Sequence, residues 1–399
     1  MADVLIVGGG PAGMMAALLF ARAGIATKVV EKHADFFRDF RGDTVHPSTM
    51  EILDQLALLD QFLKRPHNRI SSARGRIDGR DWMIGDLSHL DTPAPFIAMM
   101  PQWDFLDFLR DEAVKYPTFE LAMEDPVSGF IEEQGRIVGV RHASGREERA
   151  GKLVIAADGR SSLVRTTGML PVETLGAPMD VLWFRLPKLD DGGDALRGSI
   201  QPGRMIVLID RDDYWQVAYL IPKGAEAEVR ALGTDWLAGE VAAGFPDLQI
   251  PAHAIASMDD AKLLSVAVDR LTSWSRPGLL AIGDAAHAMS PIGGIGINLA
   301  IQDAVAAANI LARPMREGRD VDPLLHKVHD RRLLPTRIIQ AGQVAVQNGV
   351  ISRVLKGKTV KAPLFIKLLD RFPLLRRIPG RMIGLGVRRE RVKSPNAFK

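Results

Sequence analysis

The 399-residue chain has no cysteine. Disulfides, thiolate metal sites, a cysteine nucleophile and a dithiol relay are therefore excluded, and any electron traffic must pass through a bound group. It also lacks an apolar run of bilayer-spanning length. The nearest approach, residues 295–312, is interrupted by Asn298, Gln302, Asp303 and Asn309 and reads as a buried helix. No basic segment followed by a cleavable apolar stretch opens the chain, so no signal peptide is expected and the expected location is cytoplasmic. Internal repeats, low-complexity tracts and long linkers are missing too. With 47% hydrophobic and 25% charged residues the composition is that of a globular protein with ample core. No nucleic acid is expected among its partners.

Charge is uneven. Residues 1–312 carry 30 Lys plus Arg against 42 Asp plus Glu, while residues 313–399 carry 21 against 6. The basic end, with apolar clusters between Arg371, Arg376, Arg377, Arg381, Arg388 and Arg389, suits either an anionic surface or a solvated helical layer covering the sheets, and the second is the expectation. Pro373 and Pro379 rule against one long membrane-lying helix.

Three segments carry the chemistry. VGGGPAG, residues 7–13, follows an apolar run at 4–7, and Glu31 closes the next run at 27–30. This is the pattern of strand, tight turn, helix, second strand and acid that binds a dinucleotide. Gly8 permits the turn, Gly10 lets backbone approach a pyrophosphate and Gly13 lets helix and strand pack. The helix beginning at Pro11 and Ala12 aims unpaired amides at the phosphates. Glu31 accepts from ribose hydroxyls and repels a 2′-phosphate, which suits FAD or NAD. In AADGRSS, Asp158 and Gly159 end a strand where an Asx turn leads into a helix near Ser162. In GDAAHAMSPIGGIGIN, Gly283 and Asp284 end another strand, and Asp284 is placed to bond a polyol such as ribityl. Pro291, Gly293, Gly294 and Gly296 strip side chains before a helix at 297–311, so that a flat ring can lie on bare peptide.

The patterning predicts further helices over 49–59, with Ser48 as N-cap, and over 102–115. A hairpin turning at Asp78-Gly79 is expected within 70–85. Short strands at 181–186, 205–209, 214–221 and 263–271 predict an antiparallel sheet. The fold class is α/β: a discontinuous Rossmann-like domain over 1–69, 101–178 and 276–312, an inserted sheet domain over 70–100 and 179–275, and a basic helical region over 313–399.

The order and spacing of the three segments resemble the FAD-dependent aromatic hydroxylases typified by p-hydroxybenzoate hydroxylase, over most of residues 3–311. The resemblance implies FAD bound by residues 8, 10–13 and 31, with Lys32, Asp158, Gly159, Gly283, Asp284, Pro291, Gly294, Gly296, Ile297 and Asn298. It adds Arg41 of FRGDTVHPST near flavin and nicotinamide, Gln102 of PQWDFLDFL against FAD, and Val127 offering backbone groups to adenine. The segment DYWQVAYLIPKG matches a substrate-sheet strand. Ile295 departs from the polar or basic residue common at that position.

The implied reaction uses NADH or NADPH to reduce FAD, then O2, to hydroxylate an aromatic, phenolic or polycyclic molecule through a flavin C4a-hydroperoxide. Arg41, His46 and Pro291 are the catalytic candidates, and Tyr214 and Gln216 the substrate candidates. Each has a plainer reading: Arg41 in an ion pair with Asp43, His46 exposed on a loop, His287 bracing its own loop, Trp215 in the core. Two other classes stand beside this one. A further FAD oxidoreductase is possible on the same scaffold, though the halogenase segment W-x-W-x-I-P is absent, and so is a non-catalytic FAD-binding or lipid-associated protein.

Overall fold

Buried runs such as VLIV at Val4–Val7, with every residue covered, form parallel strands packed on both faces. The computed structural model describes all residues except 38–43, 78, 190–194, 252, 360 and 399. Its six-stranded sheet has the order Ser275–Arg276, Leu279–Ala281, Leu153–Ala156, Val4–Val7, Thr27–Val30, Phe119–Ala122. All pairs are parallel except that of the edge strand Ser275–Arg276. The chain leaves Val4–Val7 for one neighbour and later supplies the other. The strand order therefore reverses at the carboxyl end of Val4–Val7, where doubly wound sheets open a ligand crevice. Helix Pro11–Arg22 packs between Gln102–Ala113 and the long helix Gly296–Arg316. Together with the turn before it, the stretch Ile292–Arg316 is long and apolar enough to cross a membrane by length and composition, and 72% of its apolar window is buried inside the fold.

The second sheet has seven strands, ordered Lys262–Leu264, Met179–Pro187, Tyr214–Pro222, Arg204–Asp210, Leu196–Gln201, Ser72–Ile77, Arg80–Asp86. Its pairs are antiparallel except Leu196–Gln201 with Ser72–Ile77. Alternation along Tyr214–Pro222 gives the sheet two faces. Trp215, Val217, Tyr219 and Ile221 point to a core with Phe184 and Val241 of helix Thr234–Gly244. Ala218 and Leu220 point the other way, into a cluster with Val181, Met179, Ile351 and Ile292 of the glycine turn. The strands Ser72–Ile77 and Arg80–Asp86 pair Ile77 with Arg80, and Gly79 has φ +74°, while Asp78 of the expected turn lies outside the described residues.

Three expectations need correction. The helix expected over 49–59 runs Pro47–Gln55 with His46 at its N-cap position, because Pro47 presets the first-turn dihedral; Ser48 lies inside it and caps nothing. The chain then turns through Ala57 at φ +60°, and Leu59 belongs to a separate turn of helix, Leu59–Phe62. The run 263–271 is two strands, Lys262–Leu264 in the large sheet and Asp269–Leu271 in a three-stranded sheet with Val172–Thr174 and His287–Ala288. The break is fastened by buried Asp180, whose carboxylate accepts from the Val266 amide (2.9 Å), the Gly224 amide (3.0 Å) and Lys223 Nζ (2.7 Å).

The basic region forms helix Leu325–Val346, a π-turn at Gln347–Ile351, and two short helices, Leu364–Arg371 and Arg377–Leu385. Both short helices pack on the edge strand Arg80–Asp86 and so cover its open side. The last residues return to the first sheet domain, where Ala397 N donates to Arg22 O (2.9 Å) and Arg22 Nη1 to Ser394 O (3.2 Å).

Candidate active site

The three segments emerge from the carboxyl ends of three adjacent strands: Val4–Val7, Leu153–Ala156 and Leu279–Ala281. Gly8 has φ +102°, and a Cβ there would lie 2.5 Å from Ala157 O, so the first two turns press together. A Cβ on Gly13 would stand 2.0 Å from Gly8 O, and one on Gly283 2.8 Å from Ala12 Cβ, which brings the third segment onto the first helix. Side chains are therefore excluded where the loops converge. Gly10 is the N-cap and Pro11 the first residue of helix Pro11–Arg22. The amides of the first turn are left without intrahelical partners beside the crevice.

Glu31 is almost wholly buried; its Oε2 accepts from Gly9 N (2.8 Å) and its Oε1 from His33 N (3.1 Å). It holds the glycine turn as well as offering lone pairs for a ribose, since a carboxylate has about four acceptor sites. Lys32 is exposed beside it, and its charge acts on Asp158. Val127 begins strand Val127–Glu133, two residues after Asp125, whose amide donates to Glu31 O (2.9 Å). It thus lies near the acid rather than near the glycine turn of the third segment.

Asp158 Oδ2 accepts from Leu163 N (3.0 Å), and burial raises the carboxyl above its ordinary value. Arg160, the one Lys or Arg within the three segments, is a site residue that the glycine and aspartate pattern does not mark. Its Nε donates to Asp284 Oδ2 (3.2 Å), linking the second and third segments across the crevice. Asp158 Oδ1 and Arg160 Nη1 are buried with no partner among the described residues. A ligand that presents both anionic oxygen and hydroxyls would satisfy them, and the pyrophosphate and ribityl of FAD do so. Arg165 secures the arrangement, with Nη1 on Asp284 O (2.9 Å) and Nη2 paired to Asp269.

Behind Gly283 lies a buried polar knot. Asp303 accepts from the Gly283 amide (3.1 Å) and Arg332 Nε (3.0 Å), and His287 Nε2 stands 2.6 Å from it. Burial pushes this carboxyl up, but His287 and Arg332 outweigh burial and hold it below the usual carboxylate range. His287 faces Asp303, away from the crevice, and braces the loop.

The glycine turn spans Ile292–Gly294, with Pro291 before it and Gly296 opening the long helix. Thr44 Oγ1 donates to Gly294 O (2.7 Å), and a Cβ on Gly294 would stand 2.4 Å from that hydroxyl. Asn298, one residue beyond Ile297, is the clasp: its Oδ1 accepts from His46 N (2.9 Å) and Thr49 Oγ1 (2.7 Å). Gln102 lies three residues after Met99, which pairs with Thr44, and so sits near the same turn. Ile295 packs into an apolar cluster with Met289, Leu299 and Ile339.

His46 is not the exposed loop residue of the plainer reading. It is fully buried, its Nδ1 lies 2.8 Å from Ile383 O, and burial lowers its pKa to about 4. The imidazole is neutral at ordinary pH, with Nδ1–H committed to that carbonyl. Arg41, with Gly42 and Asp43, lies outside the described residues. Tyr214 stands at the far end of its strand under the Arg185 guanidinium (4.8 Å), about 20 Å of strand away from Leu220. The Gln216 side chain is buried and accepts from Arg211 Nε (2.9 Å). Ala218, Leu220 and Trp183 stand closer to Ile292, and the indole Nε1 of Trp183 is buried without a partner among the described residues. The alternation Gln216, Ala218, Leu220 was the available signal for this face.

The crevice and its three segments define a flavin dinucleotide protein. Residues 1–342 match the family model described as FAD binding domain, and the chain belongs to that family. Over 397 residues it is 30% identical to 6-methylpretetramide 4-monooxygenase of Streptomyces rimosus, covering 98% of this chain and 94% of that protein. Among solved structures it is similar to p-nitrophenol 4-monooxygenase PnpA of Pseudomonas putida DLL-E4 (TM-score 0.77, 21% identity, 96% of this chain, 95% of that one). It is also similar to pqsL of Pseudomonas aeruginosa, described as a probable FAD-dependent monooxygenase (TM-score 0.74, 22% identity, 89% and 98%). These two likenesses speak for the fold. The chain is an FAD-dependent monooxygenase of the aromatic hydroxylase type.

Proposed function

We propose that this monooxygenase hydroxylates a phenolic or polycyclic aromatic molecule held between the inner face of the seven-stranded sheet and the turn around Gly294. The observation that carries the reading is the emergence of all three segments from neighbouring strand ends, with Asp158 Oδ1 and Arg160 Nη1 left unpaired there. Bound FAD supplies electron transfer from NADH or NADPH and activation of O2. The chain supplies the rest. The first helix and Arg160 neutralise the pyrophosphate, Glu31 holds the ribose and Asp284 the ribityl chain. Gln102 and Val127 add contacts at the two ends of the cofactor. Pro291, Gly296, Ile297 and Asn298 shape the turn against which the ring lies, and the helix that follows favours negative charge on the reduced ring. Ala218, Leu220, Val181 and Trp183 exclude water from the reacting face.

The test is direct. Purified protein is inspected for a flavin spectrum and given NADH or NADPH in air with a panel of phenols and polycyclic aromatics. The compound for which the Streptomyces relative is named, 6-methylpretetramide, belongs in that panel. Substrate-stimulated NAD(P)H oxidation with oxygen from O2 in the product is expected. Reoxidation that requires a different electron acceptor would overturn the reading.

A further inference from the structure

The two short helices near the end of the chain bury one face and leave the other uncovered. Ile366 and Leu369 pack inward with Ile77, Trp82 and Ala362, and Gly380 lies so close to the edge strand that a Cβ would stand 1.9 Å from Asp86 O. Both helices therefore pack on one strand, and each leaves its other side to solvent. Leu364 (73% exposed), Phe365, Leu368, Phe372, Leu374 (70%), Leu375, Ile378 (60%) and Met382 are exposed. Eight of the nineteen exposed large apolar residues among those described thus fall within residues 364–382. Scattered apolar surface is ordinary; this concentration is not.

The charges that the segment itself carries are mostly positive. Lys361, Lys367, Arg371, Arg377 and Arg381 are exposed, and none forms an ion pair within 4.0 Å among the described residues, though the Arg377 charge helps to hold the Asp86 carboxyl low. The one acid between residues 361 and 389, Asp370, is held by Arg80 (2.9 Å) and Arg376 (3.6 Å). An apolar surface fringed by unpaired cations matches the boundary of an anionic bilayer, where side chains enter the acyl region and cations meet headgroups. A second copy is a poor occupant, because a symmetric contact would set these cations against themselves. We infer that the outer face of helices Leu364–Arg371 and Arg377–Leu385 docks this protein on an anionic lipid surface. The docking helix also reaches the active site: its inner edge carries Ile383, whose carbonyl faces His46, and Leu385, packed with Ile97 and Met99.

The experiment is cosedimentation of the FAD-loaded protein with vesicles of equal parts phosphatidylglycerol and phosphatidylcholine, and with vesicles of phosphatidylcholine alone. Binding to the first, weakened by salt and at least about ten-fold weaker to the second, is expected. The paired variants Phe365→Ser with Leu374→Ser, and Arg371→Glu with Arg377→Glu, should each lose that binding while keeping FAD content and melting temperature. The inference is overturned if the protein stays in the supernatant with anionic vesicles, or if the charge-reversed variant binds as well as the parent. It is also overturned if sedimentation velocity shows a dimer that Phe365→Ser with Leu374→Ser dissociates, since a second copy would then own the face.

Discussion

Single residues decide how FAD is gripped and how the fold answers to acid. Asp284→Ala and Arg160→Ala each remove one end of the link that spans the crevice and one expected partner of the cofactor. Each should weaken FAD binding by about 1–3 kcal/mol, read by titrating apoprotein with FAD; unchanged affinity in both would remove the crevice as the FAD site. His46 gives a pH signature. Its folded pKa of about 4 lies below that of an unfolded histidine, so above about pH 6.5 both states are neutral and the fold loses nothing. As pH falls from about 6.5 toward 4 the unfolded chain takes up a proton that the buried ring refuses, at a cost approaching roughly 3 kcal/mol. Urea unfolding at pH 7 and pH 4.5 should show this loss in the parent and a shallower one in His46→Gln. Asp303, with its carboxyl held low by His287 and Arg332, gives up its stabilisation only at lower pH, below the usual carboxylate range.

Elements depend on clasps that join distant segments. Asn298 ties the long helix Gly296–Arg316 to the start of Pro47–Gln55, and Asn298→Ala would strand the His46 amide and the Thr49 hydroxyl. A loss of about 1–3 kcal/mol per orphaned donor is expected in thermal or urea unfolding, together with poorer FAD retention because the glycine turn is attached there. The sequence foretold the strands and helices around the three segments closely, since each segment joins a continuous apolar strand to a periodic helix. It did less well at 263–271, where the strand breaks because Asp180, over eighty residues away, captures the Val266 amide. Ser48 does not cap the helix for a different and local reason: Pro47 opens it by its fixed dihedral, and Ser48 is buried inside it.

At the scale of the molecule, the end of the chain belongs to both halves. Its short helices cover the edge of the large sheet, while residues 391–398 lie against the first helix through Arg22 and against the long helix through Asn309, whose Nδ2 donates to Arg391 O (2.8 Å). Deleting residues 391–399 should lower the melting temperature of the FAD-loaded protein and leave vesicle binding intact, because the lipid-facing residues lie upstream. Loss of vesicle binding in that truncation, with the fold retained, would place the docking surface elsewhere.

The sequence by itself determined the cofactor cradle, because a glycine turn, a strand-end acid and a helix start are local patterns whose dihedrals and dipoles need no distant partner. It determined from composition that no thiol chemistry takes part. Only the tertiary structure decided that His46 is a buried neutral brace, that Arg160 reaches Asp284, and that Leu220 rather than Tyr214 approaches the glycine turn. Burial, and with it charge state and reach, is set by residues far apart in the chain coming into contact, and no short window of sequence contains both sides of such a contact.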